Sequence, residues 1–234
     1  MILHKYIVGD LRGHRSLLEK LLDRIQPDEN CNVIFLGSYV GPGPDSKGTV
    51  ARLIELKDKM PDTFYFLKGC YDLLFCEYLG SDERWANMKL WRSMRGDDSI
   101  ASYLAGDGGV KVVLPDGRIS RLSLPIPKRH IDFLEQLPTL YKDEDPPIVV
   151  SHTGAAAAFE EGCDKRMAYF GVPKEDVMES VMMFQVPGKT SIFGHVPHRE
   201  PFIAPGLIGI DLGAGMGGKL CAYDAIEDEF HIVG

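Results

Sequence analysis

Short apolar runs, each closed by a glycine-containing turn, recur through the first third of the chain. Tyr6-Ile7-Val8, Val33-Ile34-Phe35-Leu36 and Phe64-Tyr65-Phe66-Leu67 are unbroken and rich in β-branched and aromatic side chains, the composition of strands buried on both faces. Behind the first run, Leu17, Leu18, Leu21, Leu22 and Ile25 recur at helical spacing and stop before Pro27. Behind the second, Ser46 is placed to cap a helix whose buried stripe is Val50, Leu53, Ile54 and Leu56. Behind the third, a helix carries Leu73, Leu74 and Tyr78. Three strand, turn and helix units in succession predict a mainly parallel sheet with right-handed crossovers.

The period then weakens. Between Ser81 and Leu140 the pattern gives an amphipathic stretch from Trp85 to Met94, a break at Gly106-Asp107-Gly108-Gly109, a hairpin around Pro115-Asp116-Gly117 and a helix from Pro127 to Leu137. These pieces predict a helical cap. The acidic run Asp143-Glu144-Asp145 reads as a solvated loop before Pro146-Pro147. A buried strand resumes at Ile148-Val149-Val150, two helical segments follow, and Ser191-Ile192-Phe193 leads into Gly194-His195-Val196-Pro197-His198. The tail from Leu207 to Val233 reads as short antiparallel strands, with a hairpin turn in the stretch Gly213 to Gly218 that Asp211 fixes.

Composition narrows the setting. A chain of 234 residues, 44% hydrophobic and without a linker-like tract, reads as one domain over 1–234 with the cap inserted at about 81–140. A net charge of −8 excludes nucleic acid and an anionic membrane as the main partner, because like charges repel. Five cysteines without a Cys-x-x-Cys pair indicate reduced thiols, and no apolar run approaches bilayer length. The expectation is a soluble, cytoplasmic protein.

Five strand-end loops converge on one edge: Gly9 to His14, Gly37 to Ser46, Gly69 to Asp72, Ser151 to Gly154, and Gly194 to His198. In open α/β folds that edge binds ligands. The blocks Gly9-Asp10-Leu11-Arg12-Gly13-His14, Gly37-Ser38-Tyr39-Val40-Gly41-Pro42-Gly43-Pro44-Asp45-Ser46, Gly69-Cys70-Tyr71-Asp72, Ser151-His152-Thr153-Gly154, Gly194-His195-Val196-Pro197 and Ile210-Asp211-Leu212-Gly213-Ala214 keep one order. In order and surroundings they resemble the phosphoprotein phosphatase branch of the calcineurin-like metallophosphoesterases, especially bacterial and phage Ser/Thr phosphatases and symmetrical diadenosine tetraphosphatase. The resemblance implies an α/β metallophosphoesterase fold of two packed mixed β-sheets flanked by helices. It also implies phosphoester hydrolysis by two metals roughly 4 Å apart, which bind the phosphate and activate water.

The same resemblance marks what has changed. Asp10 is kept, but the family's first-block His is Arg12 and its metal-bridging Asp is Ser38. Its Asp-Arg pair is Gly41-Pro42, its Asn ligand is Cys70, and the His that protonates the leaving group is Tyr71. His152 and His195 remain. A pair of hard dications needs anionic oxygens around it, so no two-metal centre is expected and no residue is assigned a catalytic role. The resemblance then implies a degenerate phosphatase-like protein, a pseudoenzyme that binds a phosphorylated small molecule or a phosphoprotein. The alternative is a residual phosphoesterase, acting on phosphoproteins or dinucleoside polyphosphates with one metal. Cys70, His152 and His195, with Asp10 nearby, compose an open zinc site, although a Cys beside a turn glycine also serves as packing. Arg12 has two readings as well: a fork for phosphate, with Lys68 at the neighbouring strand end, or an internal counter-ion for Asp10. Neither leaves room for metal at the first position.

Overall fold

The computed structural model describes residues 2–80, 84–105, 124–154 and 186–234, with the backbone alone for 84–88. The apolar runs become β1 (His4–Val8), β2 (Cys31–Phe35) and β3 (Phe64–Phe66), which lie parallel with Tyr6 opposite Val33 and Val33 opposite Phe64. Between and after them come α1 (Arg15–Ile25), α2 (Ser46–Lys59) and α3 (Cys70–Gly80). The five apolar residues expected to be buried on α1 are its buried residues, and the helix stops where Gln26 turns left-handed before Pro27. On α2 the expected cap is displaced by one residue. Asp45, not Ser46, accepts from the Gly48 N–H, while Ser46 is the first helical residue and turns its hydroxyl to Gly41 and Ser99. A carboxylate is the stronger acceptor at that end of the helix.

The strands read as continuous apolar runs because both faces are covered. Tyr6 and Val8 of β1, with Val33 and Phe35 of β2, pack against the helices. The alternate residues Ile7, Ile34 and Leu36 meet a second sheet. That sheet holds β4 (Leu140–Glu144), β5 (Pro147–Ser151), β6 (Thr190–Phe193), β7 (Phe202–Ala204) and β8 (Leu207–Gly209) in the order β4-β5-β6-β8-β7. A hairpin of β9 (Leu220–Asp224) and β10 (Glu229–Val233) completes the first sheet as β10-β9-β1-β2-β3. Ile148, Val150, Ile192, Ile208 and Ile210 fill the layer between the sheets, each fully buried side chain contributing about 1.5–3 kcal/mol. The architecture is two mixed sheets flanked by helices.

Two segments depart from the sequence pattern. Asp143 and Glu144 belong to the edge strand β4, where Asp143 takes the buried ammonium of Lys5, instead of forming a solvated loop. An edge strand tolerates charges because one row of its groups meets water. In the tail, β8 is antiparallel only to β7 and runs parallel to β6. Because β8 and β9 lie in different sheets, the stretch after Asp211 is a crossover with a 3-10 turn at Ala214–Met216 and no hairpin turn.

The middle helices α4 (Arg84–Ser93), α5 (Asp97–Leu104) and α6 (Lys128–Glu135) pack on α2 and α3. Trp91 anchors α4, fully buried and within 5.8 Å of the Phe75 and Tyr78 rings. The expected glycine-rich break, the hairpin near 116 and the two helical segments after residue 154 lie outside the described residues. Among the described residues no helix is long and apolar enough to cross a membrane.

Candidate functional site

Six strands that run parallel within their sheets each deliver a side chain to one cluster. β1 is followed by Asp10 and Arg12, β2 by Ser38, β3 by Cys70, β5 by His152, β6 by His195 and β8 by Asp211. The five expected loops therefore meet, and a sixth joins them. Gly37 makes the approach of two loops feasible: at φ 105° it lies so near Gly69 that a Cβ would sit 2.3 Å from the Gly69 nitrogen. Ser38 Oγ consequently stands 3.7 Å from Cys70 Sγ. Asp72, fully buried, ties both loops together by accepting N–H bonds from Ser38 (2.7 Å), Tyr39 (2.8 Å), Val40 (3.3 Å) and Gly69 (3.0 Å). Burial pushes its carboxyl up to about 7 in spite of those four donors. Asp72 was visible in sequence only as the end of a loop.

Arg12 fills the first half of the site. Its Nε and Nη2 donate to Asp10 Oδ2 at 3.2 and 3.0 Å, and Nη2 also reaches Asp211 Oδ2 at 2.7 Å and the His195 carbonyl at 3.1 Å. All three charged residues are at most 6% exposed. Burial alone would raise the Asp10 carboxyl, but His152, Arg12 and His195 hold it below the usual carboxylate value. Asp211 goes the other way: burial and then the Asp10 charge push it up to about 7 against the pull of Arg12. One guanidinium compensates one carboxylate fully, and the second carries the excess. The sequence pattern gives Asp211 only a hairpin turn to fix; that turn is no hairpin, but Asp211 does accept the Gly213 N–H at 2.8 Å at the start of the crossover. Its place in the late block Ile210-Asp211-Leu212-Gly213-Ala214 was the available signal.

Cys70, His152 and His195 form the second half. His152 Nε2 lies 3.4 Å from Cys70 Sγ and 3.3 Å from His195 Nδ1, and Cys70 Sγ lies 3.5 Å from His195 Nδ1. A tetrahedral zinc with bonds of about 2.3 Å to sulfur and 2.0–2.1 Å to nitrogen has edges of about 3.6 Å (S to N) and 3.3 Å (N to N). The observed triangle fits one such ion. His152 Nδ1 faces the Leu36 carbonyl at 3.2 Å, so it carries the proton and leaves Nε2 with its lone pair toward the cluster. Burial lowers the His152 pKa against the opposing pull of Asp10, and pushes the Cys70 thiol up to about 12. A second ion does not fit. Both Asp10 oxygens are engaged, by Arg12 and by the His195 N–H at 3.2 Å, and Ser38 offers a hydroxyl where a bridging carboxylate is required. Arg12, Ser38 and His195 all sit at positive φ (45°, 55° and 68°), a conformation that costs a non-glycine residue about 1 kcal/mol or more and that clusters at functional sites.

The remaining candidates divide. The Tyr71 ring lies under the Arg12 guanidinium, 5.4 Å from its carbon, and the Tyr71 hydroxyl donates to the Met94 carbonyl at 3.0 Å. A Cβ at Gly41 would come within 3.2 Å of Arg12, and Gly41 exchanges hydrogen bonds with the Ser99 hydroxyl, so α5 occupies the space beside the turn. Pro42 lines an open cavity of about 670 Å³ next to the cluster. Lys68 is not brought in. Its ammonium is exposed and donates to the Glu135 carbonyl at 2.8 Å, where a cation suits the C-terminal end of α6.

Known proteins place this arrangement. Residues 4–199 match the model of the calcineurin-like phosphoesterase family. Serine/threonine-protein phosphatase PP1-delta of Caenorhabditis elegans is 27% identical over 146 residues, which cover 60% of this chain and 45% of that protein's length. The asymmetrical bis(5'-nucleosyl)-tetraphosphatase PrpE of Oceanobacillus iheyensis is 24% identical over 96% of this chain and 89% of its own. Among solved structures, one provisionally assigned as a diadenosine tetraphosphatase superposes with a TM-score of 0.67 at 20% identity, covering 98% of this chain and 92% of that one. With the family model spanning residues 4–199, most of the sequence, the chain belongs to the calcineurin-like phosphoesterases.

Proposed function

We propose that this phosphoesterase does not run two-metal hydrolysis and works as a binding protein for a phosphorylated small molecule or phosphoprotein. The observation that supports this reading is the guanidinium of Arg12, held between Asp10 and Asp211 where the family resemblance places a metal. A permanent cation there keeps the loops assembled without supplying an exchangeable coordination position for water. The deciding assay is hydrolysis of aryl phosphates and dinucleoside polyphosphates with added Mn²⁺. Turnover at background is the expected result; turnover that rises with Mn²⁺ and vanishes in Asp10→Ala refutes the proposal.

A second reading, a residual phosphoesterase with one metal, is favoured by the donor triangle of Cys70, His152 and His195. Bound there, a dication would supply Lewis-acid polarisation of a phosphoryl oxygen or a water. Without one, the same three side chains are held by S–H···N and N–H···N contacts at the observed distances. Zinc content separates the two. One equivalent that co-purifies and is lost in Cys70→Ser supports the single-metal enzyme, and a stable zinc-free wild type removes it.

A further inference from the structure

The cavity beside the cluster carries a more specific assignment, which rests on the reading that the ligand is phosphorylated. We infer that Arg95 is the phosphate-recognising residue of this site, and that the cavity takes a phosphate monoester with an uncharged organic body instead of a polyphosphate.

Arg12 is poorly suited to the task. Two buried carboxylates already share its guanidinium, so the group as a whole presents no net positive charge to an incoming anion. Arg95 stands at the cavity wall with 67% of its side chain exposed and a surface ion pair to Asp98 at 2.7 Å. An exposed pair of this kind contributes little and exchanges readily for a better anion, and a guanidinium matches phosphate geometry.

The backbone holds Arg95 there. It sits at φ 58°, strained for a side chain of its size, in the tight turn between α4 and α5. On one side the Met94 carbonyl accepts from Tyr71, whose ring lies under Arg12; on the other Gly96 backs onto the buried Trp91 ring. Tyr71 thereby couples the Arg95 turn to the central cluster. On α5 the cavity face is Asp98, Ala101 and Ser102 at helical spacing, followed by the C-cap Ala105; the two alanines and the serine leave room for a ligand body. Opposite stand Pro42, Pro44 and the 64% exposed Met216, apolar surfaces suited to an aryl or aliphatic group. His14 adds an imidazole that burial keeps neutral. Among the described lining residues one guanidinium faces one carboxylate, and the chain carries −8 overall, so each phosphate beyond the first meets no further cation.

The test is thermal shift and calorimetric titration of the full chain with phenyl phosphate, AMP and ATP. Phenyl phosphate and AMP should stabilise the wild type, and ATP should bind no tighter than AMP. Arg95→Ala should weaken phenyl phosphate by about tenfold or more, whereas Asp98→Asn, which removes the competing carboxylate, should tighten it. Equal binding by Arg95→Ala, weaker binding by Asp98→Asn, or ATP binding far tighter than AMP would each overturn the assignment. If the wild type responds to no phosphorylated probe, the proposed function fails as well; if it responds and Arg95→Ala responds equally, the assignment of Arg95 alone is wrong.

Discussion

Replacing Arg12 by alanine measures how much of the fold depends on one buried guanidinium. Asp10 and Asp211 are each 1% exposed, and Arg12 supplies the three side-chain contacts that join them. Removing one partner of a buried ion pair costs about 3–5 kcal/mol, because the group left behind is desolvated and uncompensated. For a chain of this length each kcal/mol lowers the melting temperature by about 2–4 °C, so a loss of roughly 6–20 °C is expected at pH 7. The loss should also depend on pH. In the variant Asp211, which burial and the Asp10 charge already raise to about 7, loses the opposing pull of Arg12, and Asp10 loses one of the groups that hold it down. A carboxyl raised in this way favours the folded state below its unfolded pKa and loses that contribution as pH rises through the folded one. The deficit relative to wild type should therefore be largest above neutrality and shrink toward pH 4. Calorimetry of wild type, Arg12→Ala and the triple variant with Asp10→Asn and Asp211→Asn would check this, the triple recovering part of the loss. A deficit below about 1 kcal/mol, or one constant between pH 5 and 8, would refute the shared counter-ion.

In the wild type, Asp211 with a pKa near 7 contributes stability that is lost as pH rises through about 7, while the depressed Asp10 contributes stability lost as pH falls; urea unfolding across pH 4 to 9 should place the optimum between those limits. Asp72→Asn converts an acceptor of four backbone N–H bonds into a group with half the acceptor capacity, and should cost about 2–3 kcal/mol by equilibrium unfolding, with an effect within experimental error counting against its role as a clamp. Restoring Arg12→His, Ser38→Asp, Cys70→Asn and Tyr71→His together should return binding of two Mn²⁺ by titration calorimetry, with activity kept low by Gly41 and Pro42. No Mn²⁺ binding by a folded quadruple variant would show that more than these side chains has changed.

The strands and α1 to α3 were legible because every apolar run meets an apolar layer on each side: Ile7 and Val8 are both fully buried on opposite faces. The helix α5 was not, since only Ile100 and Tyr103 of its buried face are apolar, and the other half is Ser99 and Ser102, whose hydroxyls bond to Gly41 and the Lys47 N–H. Parallel pairing of β8 was hidden for a different reason. A three-residue strand carries no mark of its partner's direction, which is set by contacts distant in sequence. At the site, the meeting of Asp10, Arg12, Ser38, Cys70, His152 and His195 followed from loop order. The second carboxylate on Arg12 did not, because Asp211 also has a local turn to fix and that local role accounts for it from sequence alone.

The most direct measurement is metal stoichiometry by mass spectrometry on protein purified without chelator and equilibrated with Mn²⁺ and Zn²⁺. With Arg12 between Asp10 and Asp211, no more than one ion per chain is the expected result, held by Cys70, His152 and His195 and lost in Cys70→Ser. Two ions per chain in the wild type, one of them lost in Asp10→Ala, would contradict it.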